Sequence, residues 1–252
     1  MSEGEYRWEL ASWMPGKADY LQNPSPERLK AAAEAIAKVH ECWFAAQQPV
    51  LAARVGPSKA MQERQQRLHW WRSCADWQHR IAEGLRRLPA SKREIFSILA
   101  VRSMEILAAT GSELSRGVDT LVAKPVVQHF VMRDLWSDHV LFEGDTVSGL
   151  IDFGAARIDE PAVDLARLLG SLEPESEEAR MQAVEWYCSA RQPSWQQSQR
   201  ESFGERVQVL DRVGCMLSAL QWLQWIVLQP REFRASDDFI ATRWRAFLDR
   251  LS

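Results

Sequence analysis

Two aspartates stand at the ends of short apolar runs near the middle of the chain. Asp134 follows Val126-Val127-Gln128-His129-Phe130-Val131, which is β-branched and aromatic as strands are, and Asp152 closes the run from Val147 to Ile151. Between them, His139 to Phe142 reads as another strand. Glu143-Gly144-Asp145 supplies the turn residues that would fold the last two runs into a hairpin. Two carboxylates brought to strand ends in this way can converge on one point in space. Phosphoryl transfer uses such a pair: one orients or deprotonates a hydroxyl, and the other holds a divalent ion against the phosphates. The plain alternative for each is an aspartate that caps a turn or the next helix. His129, on an apolar strand, reads as a core histidine with its hydrogen bonds satisfied.

The elements that must position these residues read mostly as helix. Asn23-Pro24-Ser25-Pro26 is a helix start, with Ser25 as N-cap and Pro26 in the first turn, and the helical pattern continues to Phe44. A linker is expected around Gln48 to Pro57. A further helix spans Ser91 to Ala109 and ends at Thr110-Gly111. After Pro161 the pattern gives helices over Val163 to Leu172, Glu177 to Ala190, Phe203 to Leu228 and Asp237 to Leu251. Near the N-terminus, Tyr6 to Trp13 alternates as a short strand before Met14-Pro15-Gly16 breaks it. The fold class that follows is mainly α (α+β): a helical domain with a small β-hairpin insert that carries the two aspartate loops.

Composition bounds the function. In 252 residues, 46% apolar content and twelve tryptophans exclude disorder as the main state, and with a formal charge of −3 the composition is that of an ordinary globular protein. No apolar run approaches the ~18 residues of a membrane span, the longest candidate being Cys215 to Leu228. No secretory leader is seen, so a soluble, cytoplasmic protein is expected. Cys42, Cys74, Cys188 and Cys215 lie far apart, without the spacing of a zinc site or a disulfide framework. Positive charge is concentrated between Arg54 and Arg93, where ten basic residues meet three acidic ones. A nucleic-acid surface is one reading of that segment. The spacing favours a single amphipathic helix: Leu68, Trp71, Cys74, Trp77, Ile81, Leu85 and Leu88 form a buried face, and Arg67, Arg72, Arg80, Arg86 and Arg87 lie on the solvated one.

Taken in order, Met132-Arg133-Asp134-Leu135-Trp136-Ser137-Asp138-His139-Val140-Leu141-Phe142 and then Gly149-Leu150-Ile151-Asp152-Phe153-Gly154 resemble the catalytic and metal loops of the aminoglycoside phosphotransferases and related small-molecule kinases. Asp159-Glu160-Pro161-Ala162-Val163-Asp164 is similar to the family's next segment, in which an aspartate stabilises the following helix. The resemblance implies a protein-kinase-like fold and transfer of the ATP γ-phosphate to a hydroxyl of a small molecule. It assigns Asp134 as catalytic base and Asp152 as metal ligand, with Mg²⁺ or Mn²⁺ as the ion. His139 takes the place of the family's second-metal asparagine. Three readings stand for it: a weakened metal site, a preference for Mn²⁺, or a structural histidine. Asp138 beside it could supply a substitute oxygen.

The chain also departs from the family pattern. Arg133 stands where the family has glycine and Trp136 where it has histidine. No GxG occurs, and two dozen residues precede the helix start at Pro26. The resemblance therefore divides the chain into residues 1–25, a remnant of the last small-lobe strand and hinge, and residues 26–252, the helical C-terminal catalytic lobe. Its partners would be a nucleotide and a hydroxylated small molecule, with neither membrane nor nucleic acid. A homodimer could form through Tyr6, Trp8, Trp13 and Met14 if these are uncovered. The alternative reading is a non-catalytic, pseudokinase-like binding module.

Overall fold

A computed structural model of the chain describes residues 13–47, 54–191 and 195–252. In chain order the elements are α1 (Pro26–Gln47), β1 (Arg54–Gly56), α2 (Lys59–Ser73), α3 (Trp77–Arg87), α4 (Ala90–Val122), β2 (Val126–Val131), β3 (Val140–Glu143), β4 (Thr146–Leu150), β5 (Arg157–Asp159), α5 (Ala162–Leu172), α6 (Glu177–Arg191), α7 (Gln197–Leu223) and α8 (Asp237–Asp249). A 3₁₀ turn, Ser137–His139, leads into β3, and a π turn, Gln224–Leu228, extends α7. The mainly helical expectation with a small β insert is met.

The core is built by helix pairs. α1 packs on α6, α5 on α7, and α4 against α2, α7 and α8. α5 is the most enclosed helix, with Val163, Leu165, Leu168 and Leu169 almost fully buried. Burial of each such side chain contributes roughly 1.5–3 kcal/mol. By length and composition α4 could cross a membrane, whereas the sequence reading found no segment long and apolar enough to do so. Packing accounts for part of its hydropathy: Phe96, Leu99, Leu107, Leu114, Val118 and Leu121 are buried in the helical core, whereas Ile98 and Val101 are exposed. One charged pair sits within the core: Glu160, just before α5, binds Arg206 of α7. Glu160 Oε1 and Arg206 Nη2 have no partner there.

Two small antiparallel sheets carry the loops. β3 and β4 form the expected hairpin, with Val140 opposite Leu150 and Glu143 opposite Thr146. Gly144 takes φ +58 in the turn, a conformation that glycine adopts without a Cβ penalty. Lys17 extends this sheet, exchanging backbone hydrogen bonds of 3.0 and 2.9 Å with Phe142. β2 is the centre of the other sheet, between β1 and β5. Buried Asp159 in β5 accepts from Ser58 Oγ at 2.8 Å and Ala60 N at 2.9 Å, so a carboxylate anchors the positive end of α2.

Several boundaries differ from the sequence expectation. The basic segment is two helices, α2 and α3, broken at Cys74 to Asp76, and not one. Trp77 folds back across the break to stack on Trp71 at 4.3 Å, and its Nε1 donates to the Trp71 carbonyl at 2.6 Å. α4 does not stop at Thr110-Gly111. Gly111 gives α2 its approach, since a Cβ there would lie 3.2 Å from Arg72 Cδ, and the Arg72 guanidinium bonds Ser112 and Ser115 beyond it. β1 falls in the expected linker, and β5 was not anticipated. The expected strand over Tyr6 to Trp13 lies outside the described residues apart from Trp13, which is in no strand and 95% exposed. Met14 is only partly uncovered, its methyl group packing on Gly149. Tyr6 and Trp8 also lie outside the described residues. All four cysteines are free.

Candidate active site

The loop bearing Asp134 is held from below by a buried carboxylate. Asp164, in the first turn of α5, accepts from Met132 N at 2.5 Å and Arg133 N at 2.7 Å. It also accepts from His40 Nε2 of α1 at 3.0 Å. Behind His40 a chain of donors runs inward: Arg191 Nη1 donates to the Tyr187 hydroxyl at 2.9 Å, and that hydroxyl donates to His40 Nδ1 at 2.7 Å. Burial keeps His40 neutral by lowering its pKa, which leaves Nδ1 free to accept. His129 is the satisfied core histidine expected from sequence, donating from Nδ1 to the Phe130 carbonyl at 2.6 Å and accepting from Arg191. Burial, with the Arg191 charge beside it, pushes its pKa down to about 3. His40, Tyr187 and Arg191 escaped the sequence reading. His40 meets Asp164 and Tyr187 124 and 147 residues further along the chain, and Arg191 meets His129 62 residues back, separations that no local pattern reveals.

Arg133, at the family's glycine position, has φ +66, and Asp152 has φ +63. Non-glycine residues in this left-handed region cost on the order of 1–2 kcal/mol each, and such strain gathers at functional loops. The Arg133 side chain is tied down by Glu63 of α2.

Asp134 is half exposed. Its Oδ1 accepts from Trp136 Nε1 at 2.7 Å and from Arg167 Nη2 at 3.2 Å. Its Oδ2 has no hydrogen-bond partner among the described residues. The Arg167 guanidinium also lies 3.5 Å from the centroid of the Trp136 ring, so three side chains brace one another. A cavity of about 430 Å³ opens beside them, with Trp136 and Arg167 in its wall.

His139 joins the two aspartates. Its Nδ1 donates to the Asp134 carbonyl at 2.8 Å, so that in the neutral ring the lone pair lies on Nε2. That nitrogen lies 3.6 Å from Asp152 Oδ2. Asp152 is exposed, and its Oδ1 faces Gly154 N at 3.4 Å. Phe153 packs edge-on against Trp43 of α1 at 5.8 Å between ring centroids. Were a divalent ion bound here, Asp152 and His139 would offer it one carboxylate oxygen and one imidazole nitrogen as two of its ligands. No cluster of three or more candidate ligands occurs among the described residues. The structure thus sets His139 between the Asp134 backbone and the Asp152 carboxylate; Asp138 is exposed and accepts from Ser137 Oγ at 3.3 Å.

Comparison with known proteins bears on the family and the fold. The profile of the APH phosphotransferase enzyme family matches residues 1–199. A homoserine kinase of Beijerinckia indica subsp. indica is 34% identical over 85 residues, 32% of this chain and 26% of that protein. A homoserine kinase of Methylocella silvestris is 33% identical over 81 residues, 31% and 25% of the two chains. Among solved structures, an ethanolamine kinase of Plasmodium vivax superposes with a TM-score of 0.50 at 15% identity, covering 95% of this chain and 63% of that one. At that identity the likeness concerns the fold. The matched regions span about a quarter of the homoserine kinases and less than two thirds of the ethanolamine kinase.

Proposed function

The chain belongs to the APH phosphotransferase enzyme family and has a protein-kinase-like fold, and from that premise we propose that it moves the γ-phosphate of ATP to a hydroxyl of a small molecule. The observation that carries the reading is an imidazole, His139, set between the Asp134 backbone carbonyl and the Asp152 carboxylate, on a loop clamped by buried Asp164. With Oδ1 held by Trp136 and Arg167, the open Oδ2 of Asp134 is the atom that orients the acceptor hydroxyl and takes its proton. The bond from γ-phosphorus to the β–γ bridging oxygen breaks, a bond to the acceptor oxygen forms, and ADP leaves with the bridging electrons. Asp152, with His139 beside it, would hold a divalent ion, Mg²⁺ or Mn²⁺, which when bound offsets phosphate charge. Arg167 adds a fixed positive charge next to the reacting centre.

On this reading residues 26–252 are the catalytic lobe, residues 1–25 are the last strand and hinge of a smaller one, and the site of action is the cytoplasm. The second reading, a binding module without chemistry, draws on Arg133, Trp136 and His139 at positions where the family has other residues. Thermal shift with ATP and Mg²⁺ or Mn²⁺, on the wild type and Asp152→Ala, separates the two. Occupancy at 100 times the dissociation constant adds about 2.7 kcal/mol of stability. A shift that vanishes in Asp152→Ala, followed by ADP release with an acceptor, supports phosphotransfer. A nucleotide shift with no turnover on any hydroxylated acceptor supports the binding module.

A further inference from the structure

The cavity beside Asp134 has the volume of a small-metabolite site, and its charged lining is almost entirely guanidinium. Arg64 and Arg67 enter from α2, Arg167 from α5 and Arg243 from α8. Arg167 is paired with Asp134 and Arg243 with Glu173. Glu63, the acidic residue of the wall, is taken up by Arg133.

Arg64 and Arg67 have no carboxylate partner among the described residues. Arg64 Nη1 donates to the Ala60 carbonyl at 3.2 Å, and Arg67 Nη2 to Gln221 Oε1 at 2.7 Å. Burial, and after it the charge of Arg167, lowers the Arg64 pKa to about 10, so it remains a cation at neutral pH. Arg167 also keeps its Nε buried without an acceptor. Gathering these cations costs free energy that an incoming anion would relieve. The remaining walls are flat and apolar, from Trp136, Trp222, Trp225, Phe239 and Phe247.

We propose that the acceptor is an organic acid: a hydroxylated small molecule with a carboxylate or phosphate on an apolar or planar body, and without an ammonium group. The acid group meets Arg64 and Arg67, the body lies between the indoles, and the hydroxyl reaches Asp134 Oδ2. An amine in the same place would face guanidinium groups, with no free carboxylate except the one that must react. The inference rests on the phosphotransfer reading, because Asp134, bonded to the wall residues Trp136 and Arg167, is what makes the occupant an acceptor.

The test pairs acids with amines of matched shape. Hydroxy acids (3-phenyllactate, mandelate, glycerol 3-phosphate) and amino alcohols (phenylalaninol, choline, ethanolamine) are titrated against the full chain by calorimetry and tryptophan fluorescence, with ATP and Mg²⁺ or Mn²⁺ binding measured on the same samples. Acids binding at least ~10-fold more tightly than matched amines is the expected result. Arg64→Gln and Arg67→Gln should each weaken the acids by about 10-fold, the worth of one charged hydrogen bond, and leave nucleotide affinity unchanged. Arg67→Gln, on the exposed side of α2, keeps the test open if Arg64→Gln fails to fold. Amines binding as well as acids, or acid affinity indifferent to both substitutions, overturns the proposal even where nucleotide binds normally. Acid binding without any nucleotide binding removes the acceptor role instead, and with it the phosphotransfer reading.

Discussion

Asp134 and Asp152 are both carboxylates on one loop system, but their surroundings differ. Asp134 has one oxygen braced by an indole and a guanidinium; Asp152 is open to solvent, with only a long contact to Gly154 N and an imidazole nearby. Asp134→Asn keeps the brace on Oδ1 and removes the proton acceptor, so kcat should fall by ~10²-fold or more. The nucleotide-dependent thermal shift should persist, and its loss would assign Asp134 to binding. The histidines behind the loop set a pH dependence. His129 has a folded-state pKa of about 3, below the ~6.5 of an unfolded histidine, so the unfolded chain takes up the proton first. The stability it provides is full above pH ~6.5 and is lost as pH falls toward its folded value, at up to about 1.4 kcal/mol per pH unit. Urea titrations at several pH values should show this slope, and His129→Gln should flatten it by about one proton's worth. Asp134 and Asp152 were legible in the sequence because strand alternation and a turn placed them locally. Arg64 carried a signal that was passed over: Met61, Arg64, Leu68 and Trp71 recur every three or four residues, which sets that arginine on the inward stripe and not on the solvated face.

Among the elements, those with strong local chemistry were readable. Ser25 caps α1 as its sequence implies, accepting from Arg28 N at 3.1 Å, and Gly144 turns the hairpin. β1 and β5, three residues each, depend on pairing with β2 and carry too little pattern to be seen alone. The end expected for α4 failed because Gly111 serves helix packing and not termination. Gly84 in α3 shows the same conflict at greater strength. A Cβ there would meet the Val227 carbonyl oxygen of the π turn at 2.3 Å. Alanine gains up to about 1 kcal/mol in helix propensity, whereas forced overpacking against backbone costs about 1–3 kcal/mol. Gly84→Ala should therefore lower stability by about 1–2 kcal/mol in urea unfolding; an increase would mean that α3 and the π turn separate easily.

For the molecule as a whole, charge is sorted more than it is accumulated. A chain with formal charge −3 places Arg64, Arg67, Arg167 and Arg243 around one cavity. Attraction of an anion into that cavity is screened by salt, with a Debye length falling from ~10 Å at 0.1 M to ~3 Å at 1 M. The affinity of an organic acid should drop several-fold over that range while that of an uncharged analogue stays level, and parallel titrations in NaCl would read it. The ion pair between Glu160 and Arg206 has a different consequence, one for descent. Either partner lost alone leaves a stranded charge costing about 3–5 kcal/mol, a large part of the ~5–15 kcal/mol that holds a domain folded. Losing both for apolar residues of like volume is close to neutral. The two positions are thus locked into a shared history: lineages should keep both charges or lack both, with few surviving intermediates between.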